Sequence, residues 1–219
     1  ADINAEFEIA ELDLDLSFLD EYHEAETENI YVEPEDQNKV PASHWIYDRG
    51  FLPSLVESWG CKINKFSDFM IPVQDQKKDY VGWIYRRQNA VPKYMFSKGF
   101  KKSQVLFGVD KIQDFNKLFV VEGALDCMWL NQNGYPSVAI LGASVSKKQL
   151  GLISSLNPSE VVLSLDNDTA GAKGISKATF DMEGRFLLSY LILPKKYKDV
   201  QEIRNKDVLD KVMRNTTIF

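Results

Sequence analysis

The sequence predicts an α/β fold, with a parallel sheet flanked by helices over residues 117–219 and a small mixed α+β subdomain before it. Two patterns carry this reading. In the C-terminal half, four continuous apolar runs (Leu118–Val121, Ser137–Leu141, Val161–Leu165 and Leu187–Leu193) alternate with stretches of helical spacing. Strands covered on both faces read as unbroken apolar runs, and helices between them lead to parallel pairing. Over residues 41–116 the runs are shorter and are separated by polar turn formers, as in a small mixed sheet.

Residues 1–40 form an acidic arm or linker, with fourteen Asp or Glu against one Lys. Leu12, Leu14 and Leu16 alternate with acids, but the flanks are dense in Glu, and Glu33-Pro34-Glu35-Asp36 reads as linker. A self-repelling segment of this kind does not build a core. The alternative is a segment that docks on a partner or lies over a basic face. The remaining residues hold 25 Lys or Arg against 18 acids, so the formal net charge of -6 conceals a mildly basic body. A basic body suits a polyanionic partner, although solubility alone also explains it.

In the second zone a short helix is expected near Ser43–Asp48 and another over Pro53–Trp59. Pro53 suits a first turn and Gly60 a C-terminal cap. Strands are expected at Phe69–Val73, Tyr80–Tyr85 and Val105–Phe107, with turns at Asp75–Asp79 and Ser97-Lys98-Gly99. In the third zone, helices are expected over Leu125–Asn131, ending near Gly134, over Ser146–Leu156 with Ser146 as N-cap, and over Ala170–Phe180.

At 219 residues the chain has room for one full domain and a smaller one. It has no apolar run long enough to span a bilayer and no signal sequence, so a cytoplasmic location is expected. Cys61 and Cys127 lie far apart, and His23 and His44 add no zinc-ligand spacing. Both thiols are expected to be half-buried in a reducing compartment.

The acids with chemical potential stand where apolar runs stop. Glu122 follows Val121, Asp166 and Asp168 follow Leu165, and Asp199 lies beyond the fourth run. In open parallel sheets ligands bind outside the carboxyl ends of the strands. Clustered carboxylates repel one another, and a divalent cation relieves that repulsion. Oxygen donors without Cys or His favour Mg²⁺ or Mn²⁺, and such ions suit in-line displacement at phosphorus. A single acid after a strand is ordinarily a helix N-cap or a solvated loop residue, and Asp168 alone would cap a helix at Ala170–Phe180. The ordered set of strand, Glu-Gly, helix, strand, helix, strand and Asp-x-Asp is what points to chemistry.

That set resembles the TOPRIM domain of DNA primases, topoisomerases and some nucleases. The segments are Val120-Val121-Glu122-Gly123-Ala124-Leu125-Asp126 and Leu165-Asp166-Asn167-Asp168-Thr169-Ala170-Gly171, with Leu141-Gly142-Ala143-Ser144 as the small-residue turn between them. Lys198-Asp199-Val200-Gln201-Glu202 is similar to the Lys-Asp-x-Asn-Glu segment of phage primase–helicases, from which Gln201 departs. Upstream, Asp48-Arg49-Gly50-Phe51, Ile71-Pro72-Val73, Gly82-Trp83-Ile84, Arg86, Pro92-Lys93-Tyr94 and Leu106-Phe107-Gly108 resemble, in order, the DnaG-type polymerase core.

This resemblance implies a DNA primase core, phage-like in pattern, that makes short RNA primers on single-stranded DNA from NTPs by two-metal nucleotidyl transfer. It implies that Glu122 acts at the addition step as base or metal ligand. Asp166, Asp168 and Asp199 then hold Mg²⁺ or Mn²⁺, with Asp126 in support. Arg86, Lys93, Lys98, Lys101 and Lys102 become the nucleotide- or DNA-binding residues, interleaved with Trp83, Tyr85, Tyr94, Phe96 and Phe100. Basic side chains follow phosphates and aromatics stack on bases, but Trp83 and Tyr85 are expected in the core. No zinc-ribbon cysteines and no Gly-x-x-x-x-Gly-Lys-Ser/Thr loop are present, so the alternatives are an excised core or a chain that takes a zinc-ribbon module and a replicative helicase as partners in trans. The alternatives are a TOPRIM nuclease acting through the same acids and a non-catalytic nucleic-acid-binding module.

Overall fold

A computed structural model describes residues 31–164, 184 and 186–218. Asp166, Asp168 and the helix expected at Ala170–Phe180 lie outside the described residues.

Two sheets form the frame. The first is antiparallel and contains β1 (Lys62–Ile63), β2 (Phe69–Gln74), β3 (Tyr80–Arg86) and β4 (Tyr94–Phe96), in that spatial order. The β2–β3 turn is closed by the Asp75 carboxylate, which accepts from the amides of Lys77 at 2.8 Å and Asp79 at 3.0 Å. Pro72 is tolerated within β2 because β1 pairs only as far as Met70 and Phe69. Its missing N–H therefore costs no ladder bond on that side.

The second sheet contains β5 (Lys117–Val121), β6 (Ser137–Ala139), β7 (Glu160–Leu163), β8 (Leu187–Leu191) and β9 (Thr216–Ile218), in the order β6-β5-β7-β8-β9. The first four pair in parallel, and β9 adds an antiparallel edge that the sequence pattern did not reveal. Three residues are too few to establish a period. After β5 the chain turns to one side to make β6 and later to the other side to make β7. The carboxyl end of β5 is thus the topological switch point, where open α/β sheets hold their ligands.

Four helices complete the described fold: α1 (Pro53–Ser58), α2 (Ala124–Gln132), α3 (Lys147–Ser155) and α4 (Lys206–Arg214). Pro53 opens α1, and left-handed Gly60 closes it with an amide bond to the Glu57 carbonyl. Ser146 caps α3 through a full capping box with Gln149. Helix α2 buries Leu125, Met128, Trp129 and Leu130 around most of its circumference. A helix apolar on all sides must be enclosed, and α2 lies between the second sheet and the segment carrying Phe51.

The second sheet is covered on both faces, as its unbroken apolar runs require. Phe119, Val121, Ala139 and Val162 join one apolar cluster that continues into the first sheet through Phe69, Ile71 and Ile84. Leu118, Val120, Val138, Val161 and Leu163 join a second cluster, closed by Leu150 and Ile153 of α3. Each such fully buried side chain contributes about 1.5–3 kcal/mol.

Three local expectations need correction. Over Ser43–Asp48 there is a single 3-10 turn at Tyr47–Arg49, ended by left-handed Gly50, instead of a helix. Val105–Phe107 is no strand; Phe107 alone bridges Ala139, because 3-10 turns at Lys102–Gln104 and Val109–Lys111 flank it closely. Its apolar character reflects burial, not strand formation. Cys61 and Cys127 are buried, not half-buried, and loss of solvent pushes both thiols far up. Thiols in that state are not nucleophiles.

The end of the acidic segment is attached to the first sheet. Asn38 exchanges both backbone hydrogen bonds with Ile63, at 2.7 and 2.9 Å, and Val40 is buried. The Tyr31 ring stacks on Tyr80 at 5.8 Å, and its hydroxyl accepts from Trp83 Nε1 at 3.2 Å. Among the described residues no helix is long and apolar enough to cross a membrane.

Candidate active site

A cavity of about 510 Å³ opens at the carboxyl end of β5. Its walls come from both sheets. Arg49, Arg86, Lys93, Tyr94, Phe96 and Lys102 line it from residues before β5; Glu122, Asp126, Lys198, Asp199 and Glu202 line it from residues after β5. Four basic side chains thus face four acidic ones across one space, with Lys198 on the acidic side.

Glu122 takes its place from the strand, since β5 ends at Val121 and α2 begins at Ala124, with Gly123 as N-cap. Glu122 precedes the helix instead of lying on it, and Asp126 occupies the helix's first turn. There a carboxylate is favoured by the free amides and the helix dipole. The intervening glycine leaves the Asp126 carboxylate its place. A Cβ on Gly123 would stand 2.5 Å from Asp126 Oδ2.

Asp199 is the N-cap of a 3-10 turn, Val200–Glu202, and accepts from the Glu202 amide at 3.0 Å. Glu202 returns the favour one residue upstream by accepting from the Lys198 amide at 2.7 Å. Burial raises the Asp199 carboxyl above the usual carboxylate range, and the charge of Glu202 adds to this. The amide bond from Glu202 and the charges of Arg49 and Lys198 oppose it.

The basic wall is held by stacking. Arg86 is buried, with its guanidinium 4.9 Å from the Tyr94 ring and 5.6 Å from the Trp45 ring, and it donates to the Arg87 carbonyl. Cations over aromatic faces are stabilised by the ring quadrupole, more so when desolvated. Burial of the Tyr94 phenol, then the neighbouring Asp126 charge, push its pKa up to about 12. Lys102 Nζ lies 5.9 Å from the centre of the Phe96 ring, and Phe96 stacks with Phe100 at 5.7 Å. Gly82 makes room for that pair, as a Cβ there would fall 2.4 Å from the Phe100 ring.

Of the residues singled out in the sequence, Glu122, Asp126, Asp199, Arg86, Lys93 and Lys102 are brought together. Lys98 and Lys101 do not line the cavity. Trp83 is buried as expected, and Tyr85 half-buried. Among the described residues no group of three His, Cys, Asp or Glu is set for a metal ion. Three charged lining residues were not expected there: Arg49, Lys198 and Glu202. Their signal was adjacency, since Arg49 sits in the Asp-Arg-Gly-Phe segment and the other two flank Asp199. Gln201, the departure in that segment, is 1% exposed and bonded to Arg49. Its Oε1 accepts from Arg49 Nη2, and its Nε2 donates to the Arg49 carbonyl at 3.0 Å.

Residues 119–204 match the Toprim-like family model. The chain is 34% identical over 178 residues to the DNA primase of Synechococcus elongatus, which covers 70% of this chain and 26% of that protein. It therefore spans about a quarter of the length of this curated relative. Its fold is similar to the DnaG primase catalytic domain solved with ssDNA, with a TM-score of 0.68 at 20% identity, covering 81% of this chain and 72% of that one. The primase fragment of the bacteriophage T7 primase-helicase protein gives 0.63 at 22% identity, covering 83% and 81%. The switch-point acids, the basic wall from the preceding sheet and these likenesses agree: the chain is a relative of the DnaG-type primases and carries a TOPRIM domain in the fold of their catalytic core.

Proposed function

We propose that this chain is a primase catalytic core that joins NTPs into short RNA primers on single-stranded DNA. The observation that carries the reading is a cavity in which Glu122, Asp126, Asp199 and Glu202 face a stacked, basic wall. The acids alone support phosphoryl transfer in general. The wall of Arg86, Lys93 and Lys102 with Tyr94 and Phe96 adds what a template and a triphosphate need, namely charge for phosphates and flat faces for bases.

A divalent ion fits the acids. The donors are hard oxygens, and burial and Glu202 raise the Asp199 carboxyl despite Arg49 and Lys198, a cost that a bound cation would offset. Glu122 and Asp199, with Asp166 and Asp168, would hold Mg²⁺ or Mn²⁺, which when bound neutralises charge on the reacting phosphate. Ser164, whose amide donates to the Val120 carbonyl at 2.9 Å, lies beside β5 and precedes Asp166 by two residues in the sequence. Glu122 serves the attacking hydroxyl as base or ligand, and Asp126 supports the site from the first turn of α2. Arg86 and Lys93 hold the polyanion. A zinc-ribbon module and a replicative helicase, joined to this chain or acting in trans, select the template start and deliver the strand.

The test is primer synthesis on varied single-stranded templates with labelled NTPs and Mn²⁺. Extension products are expected, and they disappear with chelator or in Asp166→Ala and Asp168→Ala. Full synthesis by either variant removes those residues from the site, while shortened DNA in place of extension identifies a nuclease. Gly123→Ala is a milder probe. The added methyl displaces the Asp126 carboxylate, and synthesis is expected to fall by about 10–100-fold, as for a displacement of roughly 1 Å at a site. Its melting temperature should stay close to that of the unaltered chain, because a side-chain carboxylate yields more readily than backbone.

A further inference from the structure

We infer that Gln201 is a positioning residue that fixes the guanidinium of Arg49 at the cavity, so that Arg49 binds triphosphate as a held fork and not as a mobile charge. The inference rests on the proposed function and names how one of its walls is built.

Arg49 and Gln201 are 152 residues apart in sequence, yet they share two hydrogen bonds. Arg49 gives Nη2 to the Gln201 side chain and receives Gln201 Nε2 on its own carbonyl at 3.0 Å. One amide therefore fixes both the backbone and the far end of the arginine. Gln201 is itself immobile, at 1% exposure, and sits in the same 3-10 turn that Asp199 caps. That turn thus presents the Asp199 carboxylate and, through Gln201, sets the position of the opposing cation. Arg49 also has its Nε buried with no hydrogen-bond partner among the described residues. A buried donor of that kind is costly to leave unmade and is met by an acceptor when one arrives. Planar donors matched to phosphate oxygens lose less entropy on binding when already held in place. An amide acceptor suits this task better than a carboxylate would. It holds the arginine without neutralising it, leaving the full positive charge for the ligand.

The neighbouring Arg204 fits the same picture. Burial, then the Arg49 charge, lower its pKa, and its guanidinium is placed 5.4 Å from the Trp129 ring instead of in the cavity. Two cations meet here, and the one that Gln201 bonds, Arg49, is the one that lines the cavity.

The test is a double-mutant cycle on triphosphate affinity, measured by titrating a fluorescent GTP analogue with Mn²⁺ into the full chain. Gln201→Met keeps the volume and removes both bonds. The analogue is expected to bind about tenfold more weakly to Gln201→Met and at least as weakly to Arg49→Ala, and adding Gln201→Met to Arg49→Ala should cost nothing more. Equal losses from Gln201→Met in both backgrounds would mean a structural role and overturn the inference, although the function would stand. Arg49→Lys decides the matter should Gln201→Met not fold. It keeps the charge and loses the fork, so weakened binding supports the inference and unaltered binding overturns it. If the unaltered chain binds no triphosphate, the inference falls together with the proposed function.

Discussion

Replacing Asp199 by Asn is expected to reduce primer synthesis on the order of 100–1000-fold, the usual cost of removing one preorganised charge from a reacting site. The same change should make the metal-free chain more stable. Asn keeps an oxygen that accepts from the Glu202 amide, so the cap of the 3-10 turn survives. What disappears is a charge that the fold holds at a cost, because burial and Glu202 both disfavour its ionised form. The folded-state pKa is raised above the unfolded value. Ionised Asp199 therefore destabilises the chain at neutral pH, and stability recovers as pH falls through the raised pKa. The variant lacks that recovery and should melt higher than the unaltered chain near pH 7, with the gap closing on acidification. Added Mn²⁺ should raise the melting temperature of the unaltered chain more than that of the variant. Melting curves with and without Mn²⁺ at several pH values check all of this. A variant that is less stable at pH 7 without metal would show that Asp199 is held for the fold and not for a ligand.

Much of the fold is legible in the sequence because the second sheet is covered on both faces. Continuous runs such as Leu118–Val121 and Val161–Leu163 have little choice but to be enclosed strands, and Ser146 and Gly60 mark helix ends by their own chemistry. What escaped notice has a common cause, which is that short elements carry no period. Strand β9 is three residues long, and β1 is two. Val105–Phe107 is apolar enough to read as a strand, but its burial comes from position between the two sheets. The site divides in the same way. Glu122 and Asp199 can be recognised as acids that follow apolar runs; the end of β5 places the first and the 3-10 turn at Val200–Glu202 the second. Arg49 has no such marker. It lies in the 3-10 turn that left-handed Gly50 ends at φ 83°, and it is bonded by Gln201, 152 residues away in sequence. Long-range polar contacts of that kind leave no trace in local spacing.

Gln149 is another such contact, and the fold depends on it. It is the third residue of α3 and is 1% exposed. Its side-chain nitrogen donates to the carbonyls of Lys102 at 3.1 Å, Val105 at 2.9 Å and Ile140 at 2.9 Å, while its oxygen accepts from the Ser146 amide at 3.0 Å. One amide thus ties the segment leading out of the first sheet to the end of β6 and to the start of α3. Ser146 adds a bond from its hydroxyl to the Ser103 carbonyl at 2.6 Å. Gln149→Ala leaves the Val105 and Ile140 carbonyls buried without this donor, at about 1–3 kcal/mol for each that finds no water, while the Lys102 carbonyl keeps the Val105 amide at 3.4 Å. The expected loss is about 3–5 kcal/mol, near the upper end for a single substitution. For a chain of this size that lowers the melting temperature by roughly 6–20 °C. Gln149→Glu should be no milder, since it replaces the donor by a charge facing three carbonyl oxygens. Denaturant unfolding of both variants tests this, and a loss within 1 kcal/mol for Gln149→Ala would refute it. Lys102 lines the cavity, and its own carbonyl is one of the three that Gln149 holds. Nucleotide affinity should therefore weaken in these variants even at temperatures where they remain folded, which links the packing of α3 to the basic wall of the site.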